Sequence, residues 1–274
     1  MLTIEQPGTA SPCTVYTYTQ ALGKGRALIP EMRLLLQVWQ PGESESSLAD
    51  RVLRHDVLGK STARRVLDVV RVFSRRLLQP TDDAARHLKP LVEPTAPRQV
   101  FSDILFYYVA RQDALLWDFT ILRYWPAVRE GRLTMPNREV AELIWEAEQD
   151  GRIAQPWSAE IKRDMAGRVL GTLSDFGLLE EFKPATRRIA AYRAADGTVL
   201  YLATLLHVQG CPDGLLADAS AWQLFGLERE DVWQRLGALA GDGCLIVQRA
   251  GEVAHITWRY SDPEEVIRAL IGPR

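Results

Sequence analysis

Apolar residues recur at helical intervals along most of this chain. Val66, Val70, Phe73 and Leu77 fall at i, i+4, i+7 and i+11, one stripe of a helix of about 3.6 residues per turn. The other side of that segment carries Thr62, Arg64, Arg65, Asp68, Arg71 and Arg75, with Ser61 placed to cap it. Upstream, the pattern predicts a helix from Pro30 to Trp39, opened by proline and stopped by Pro41-Gly42. A short helix follows from Ser47 to Arg54, with Ser47 as cap and Asp50 completing a capping-box pattern. Helix, polar turn, short helix, Val57-Leu58-Gly59-Lys60 turn and longer basic helix is the layout of a helix-turn-helix.

Prolines 80, 90, 94 and 97 then frame one short helical segment. Gln99 to Glu130 is strongly apolar and aromatic, with Phe101, Leu105, Tyr108, Leu115, Leu116, Phe119 and Leu122 expected in a bundle core. Helices are predicted from Arg138 to Gln149 and from Pro156-Trp157-Ser158 to about Phe176, the second with a stripe of Ile161, Met165, Val169 and Leu173. Lys162, Arg163 and Arg168 lie off that stripe, and Lys183, Arg187, Arg188 and Arg193 follow in a segment that reads as a basic wing. Asp164, Glu180 and Glu181 dilute this second surface.

The clearest strand signal comes last. Cys244 to Gln248 and Val253 to Trp258 flank Arg249-Ala250-Gly251-Glu252, a turn that suits a hairpin. Helical patterns at about Thr198 to Val208, Ala217 to Phe225 and Arg229 to Ala240 precede it, and Asp262 to Ile271 closes the chain. The expected fold is mainly α: a helix-turn-helix unit over 1–95, a central helical unit with a winged helix over 96–195, and a winged-helix-like module with a β-hairpin over 196–274.

Charge sharpens this picture. The 274-residue chain has a formal charge of −2, yet Arg51 to Pro80 holds eight Lys/Arg against Asp56 and Asp68. A local cationic excess is the footprint of a nucleic-acid surface, or of a solvated helix face. The third module runs the other way, since Glu228-Arg229-Glu230-Asp231 opens its last helix with acids that repel phosphate. Protein docking is the expected role there.

Other chemistry is thin. Gly59-Lys60-Ser61-Thr62 has the ending of a phosphate-cradling P-loop, but the required first glycine is Arg54 and the segment before it reads as helix. Gly23-Lys24-Gly25 follows no strand and reads as a loop. Cys13, Cys211 and Cys244 are far apart and unpaired by spacing, and His55, His87, His207 and His255 are scattered. No metal, cofactor or catalytic constellation is predicted. Met1 to Thr19 has no Lys or Arg, and the longest uncharged run, Gly197 to Pro212, is 16 residues where a bilayer needs roughly 20. These features lead us to expect a cytoplasmic, non-membrane protein.

The path from Arg33-Leu34-Leu35-Leu36-Gln37-Val38-Trp39 through Leu58 to Arg65, then Phe176-Gly177-Leu178-Leu179 and the C-terminal module, resembles the BrxA family of bacteriophage exclusion (BREX) defence systems. The likeness covers roughly residues 15 to 270, and the module after Asp196 is elaborated relative to shorter members. It implies a non-enzymatic, double-stranded-DNA-binding accessory protein that works beside other BREX proteins. On this reading Lys60, Arg64, Arg71 and Arg75 contact phosphates, while Thr62 and Arg65 reach base edges. Ser61 starts the helix, and Lys162, Arg163, Arg168, Lys183, Arg187 and Arg188 form the second DNA surface. A protein-interaction scaffold and an RNA-binding helical protein are the competing readings.

Overall fold

Five helices begin in the same way. Ser44, Thr62, Asp113, Ser158 and Asp262 each accept the backbone N–H of the residue three positions on, satisfying a donor that the first helical turn leaves open. Two of these caps correct the sequence reading. Ser44, rather than Ser47, starts the short helix, and Thr62, rather than Ser61, starts the basic one, because Thr62 is the extended residue whose Oγ1 meets Arg65 N at 3.2 Å.

The computed structural model describes residues 17–251 and 253–272. Its chain is mainly helical with two small antiparallel sheets. Helices α1 (Ile29–Val38), α2 (Glu45–Arg54) and α3 (Ala63–Leu77) bury Met32, Leu35, Trp39, Leu48, Val52 and the predicted stripe of α3. Gly59 turns between α2 and α3 at φ +55°, in the left-handed region that glycine tolerates. Helix upstream of it, where a P-loop needs a strand, agrees with the sequence argument.

Short α4 (Asp83–Leu88) leads to α5 (Arg98–Arg111), which is buried on nearly every side from Val100 to Ala110 and forms the centre of the molecule. Next come α6 (Ala114–Phe119), a π turn over Thr120–Tyr124, and α7 (Trp125–Arg129). Leu122, expected in the core, is exposed, because the wider π turn shifts the helical phase beneath it.

Strand β1 (Thr134–Pro136) was not foreseen; three residues ending in proline show no alternation. Then follow α8 (Asn137–Gln149), α9 (Ala159–Asp175), β2 (Leu179–Lys183) and β3 (Thr186–Ile189), with the sheet ordered β1-β3-β2. Met135 and Glu181 both register against Arg187.

After α10 (Asp196–Val208) the stretch read as one helix from Ala217 to Phe225 is two 3-10 segments, Asp213–Asp218 and Ser220–Phe225. Extended Ala219 (ψ 129°) breaks it. Helix α11 (Arg229–Gly241), the hairpin β4 (Leu245–Ala250) and β5 (Val253–Trp258), and α12 (Pro263–Ile271) complete the fold. Gly251 sits at the hairpin turn, and Glu252 lies outside the described residues, as do Cys13 and most of the Met1 to Thr19 segment.

Buried apolar side chains form one continuous core from Tyr18 to Ile267. One polar tie at its centre is fully satisfied. Asp103 of α5 accepts from Gln99, Tyr192, Thr198 and the Ala195 amide at 2.7–2.9 Å, which fixes the segment leading into α10. Gly197 lets α12 and α5 approach α10, since a Cβ there would stand 2.9 Å from the Leu270 methyls and 3.0 Å from Val100 Cγ2.

Candidate functional site

The face of α3 opposite its apolar stripe is exposed at Arg64, Arg65 and Arg71. Arg64 has no partner among the described residues, whereas Arg71 makes a 3.1 Å pair with Asp68 one turn back. Arg65 Nη1 donates to Lys24 O at 3.1 Å. Lys60 is engaged with Glu31 Oε1 at 2.7 Å. Burial opposes the Glu31 carboxylate, but the Lys60 bond, its own backbone and the nearby Arg65 together hold its pKa below the usual carboxylate range. Ser61 is exposed, the Thr62 oxygen is committed to the cap, and Arg75 is half buried.

The eighth cation of that run is not on the surface. Arg76 is 3% exposed, and its guanidinium donates to Gly25 O at 2.9 Å and Ala27 O at 3.2 Å. Burial lowers its pKa to about 10, still charged at neutral pH. It pins the loop before α1 to the inner face of α3.

On α9, Lys162 bonds to Glu148 at 2.6 Å and Arg168 to Asp164 at 2.7 Å, while Arg163 is exposed without a partner among the described residues. Between β2 and β3, the guanidinium of Arg188 and the ammonium of Lys183 lie 5.1 Å and 4.9 Å from the centroid of the exposed Phe182 ring. Arg187 is largely buried, with Nε 3.3 Å from Glu181 Oε1.

Helices α3 and α9 border one cleft. A cleft of roughly 760 Å³ is lined by Lys24, Arg26 and Glu31, by Arg65 of α3, and by Arg168 and Asp175 of α9. Sequence reasoning gave Lys24 and Arg26 no role, since Gly23-Lys24-Gly25 read only as a loop. Arg26 extends over α9 where Gly171 leaves room, and its Nη2 lies 3.4 Å from Asp175 Oδ1. Burial raises the Asp175 pKa, opposed by the Arg26 charge and by the nearby Ala27 amide.

The corresponding helix of the C-terminal unit differs. Glu228 and Asp231 form a reciprocal capping box on α11, and Glu230 takes a 2.8 Å bond from Arg249 of β4. Its first turn is acidic. Among the described residues, no helix is long and apolar enough to cross a membrane, and no three His, Cys, Asp or Glu side chains form a group that could hold a metal.

This is a mainly helical protein with two small sheets, in which α3, α9 and the loop before α1 bring cations from distant segments to one cleft. The chain belongs to the BrxA family, whose model matches residues 16–204, well over half of the 274. A crystal structure of an uncharacterized protein from Magnetospirillum magneticum is similar in fold, with a TM-score of 0.55 at 20% identity over 68% of this chain and 91% of that one. Comparison with curated proteins gives no sequence match.

Proposed function

We propose that the chain is a non-enzymatic, cytoplasmic accessory protein of a BREX-type phage-defence system that binds double-stranded DNA. One observation carries this reading: Arg65 of α3 and Arg168 of α9, 103 positions apart in number, line the same cleft. Cations from α3 and α9 can therefore meet one duplex. In this account α2 and α3 act as a helix-turn-helix. Segments β1, α8, α9, β2 and β3 act as a winged helix, for which the order β1-β3-β2 speaks. Arg64, Arg71 and Arg163 contact phosphates, and Arg65, near the start of α3, is the side chain placed for base edges.

Gel retardation of a duplex by an Arg64→Glu, Arg65→Glu variant, at several salt concentrations, tests the assignment. Affinity is expected to fall about a hundredfold, and each lost phosphate contact to reduce the log-affinity versus log-salt slope by roughly 0.9. Wild-type behaviour at every salt concentration would sink it. Structured RNA as competitor separates DNA from RNA preference.

Docking of another BREX protein is a second reading. Leu133 and Trp145, at 79% and 58% exposure, leave large apolar surface open near the central sheet. Co-purification with proteins of the same defence system, lost in Trp145→Glu while duplex binding persists, supports it.

A further inference from the structure

We infer that the cleft between the 24–27 loop and α9 seats a backbone phosphate of the bound duplex, with Lys24 and Arg26 as its additional ligands. The inference rests on the DNA-binding reading above. Phosphodiester recognition needs several N–H donors held in fixed directions around one point. Here four cations, Lys24, Arg26, Arg65 and Arg168, come from three separate segments to one opening. The two acids present are already engaged, Glu31 by Lys60 at 2.7 Å and Asp175 by Arg26 at 3.4 Å. The Lys24 ammonium has no partner among the described residues.

The loop that presents Lys24 and Arg26 is fastened from both sides. Arg65 donates to Lys24 O and Arg76 to Gly25 O and Ala27 O, while Asp175 of α9 pairs with Arg26 itself. Such a loop offers its side chains at a low ordering cost. The apolar part of the lining, Leu28, Ile29 and Pro30, is aliphatic, with no ring on which a nucleobase could stack. A backbone phosphate fits this chemistry better than a free nucleotide.

Gly171 is the positioning residue. A Cβ there would stand 2.5 Å from Arg26 Nη1 and 3.0 Å from its Cδ, so Gly171→Ala displaces the guanidinium while favouring the helix. Duplex binding by the full chain, measured across salt, is the test. Lys24→Ala, Arg26→Ala should lower the salt slope by about 1.8, two contacts' worth. Gly171→Ala should lower affinity by a smaller factor with unchanged or raised thermal stability.

Wild-type slope in the Lys24→Ala, Arg26→Ala variant, alongside a weakened Arg64→Glu, Arg65→Glu variant, overturns the phosphate seat and leaves DNA binding standing. No duplex binding by the wild type brings both down. Saturable binding of inorganic phosphate that Lys24→Ala, Arg26→Ala abolishes, with the duplex slope unchanged, replaces the backbone phosphate with a free anion.

Discussion

Helices α3 and α11 are anchored alike and dressed in opposite ways. Each sends a buried arginine inward to hold the loop ahead of its unit: Arg76 to Gly25 O and Ala27 O, Arg235 to Ala194 O and Asp196. Outward, α3 shows Arg64, Arg65 and Arg71, whereas α11 opens on Glu230 and Asp231. An arginine's chemical identity therefore says little about its role. The inner ones are scaffold whose removal strands carbonyls, and only the outer ones are available to a polyanion.

The anchors should differ in strength, which gives the largest predicted effect. Arg76→Met leaves two loop carbonyls without their donor in a dry site and is expected to cost about 3–5 kcal/mol in denaturant unfolding. Arg235→Met should cost less, about 1–2 kcal/mol, because its partner Asp196 is 62% exposed and can turn to water. Equal losses would break the distinction between a buried and a half-open anchor.

Protonation sharpens the same contrast. Burial raises the Asp113 pKa from 3.8 to about 6, against the pull of the Leu116 amide and then of Arg76. The folded chain thus binds the extra proton between those values, so this group's contribution to stability falls as pH rises through about 4 to 6. Asp113→Asn keeps an oxygen for the Leu116 N–H, now 2.9 Å away. It should flatten that part of the stability profile and raise stability at pH 7 by on the order of 1–3 kcal/mol. An unchanged profile would place the proton elsewhere.

Smaller effects follow at the surface. Thr62→Ala removes the α3 cap and should cost about 1 kcal/mol in thermal unfolding. Reversing charge on the C-terminal unit, Arg249→Glu, breaks an exposed pair and should leave duplex affinity within about twofold. A loss comparable to that of Arg64→Glu, Arg65→Glu would mean that the hairpin also meets DNA.

Much of the helical framework was legible, because α3, α9 and α12 announce themselves through apolar stripes and capping residues. Strand β1 was not, since its place is set by pairing with β3 across a distance of fifty residues in sequence. The same divide runs through the candidate site. Pairs such as Arg71–Asp68 and Arg168–Asp164 lie one helical turn apart and can be read from spacing. Lys60–Glu31 joins the turn before α3 to α1, and Lys162–Glu148 joins α9 to α8, so only the tertiary fold shows that these cations are engaged. Arg76 looks like its neighbour Arg75 in sequence, and only the helical phase sends it inward.

The tight seat of Leu270 on Gly197 matters for a chain still being made. Helix α10 is buried from Val199 to Leu205, and part of its cover is α12, which follows it in the chain. A nascent protein that has already completed the family-matched stretch, residues 16–204, still leaves part of this greasy helix uncovered and open to a chaperone. Emergence of α12 from the ribosome, rather than completion of that stretch, is the moment at which α10 gains this part of its cover.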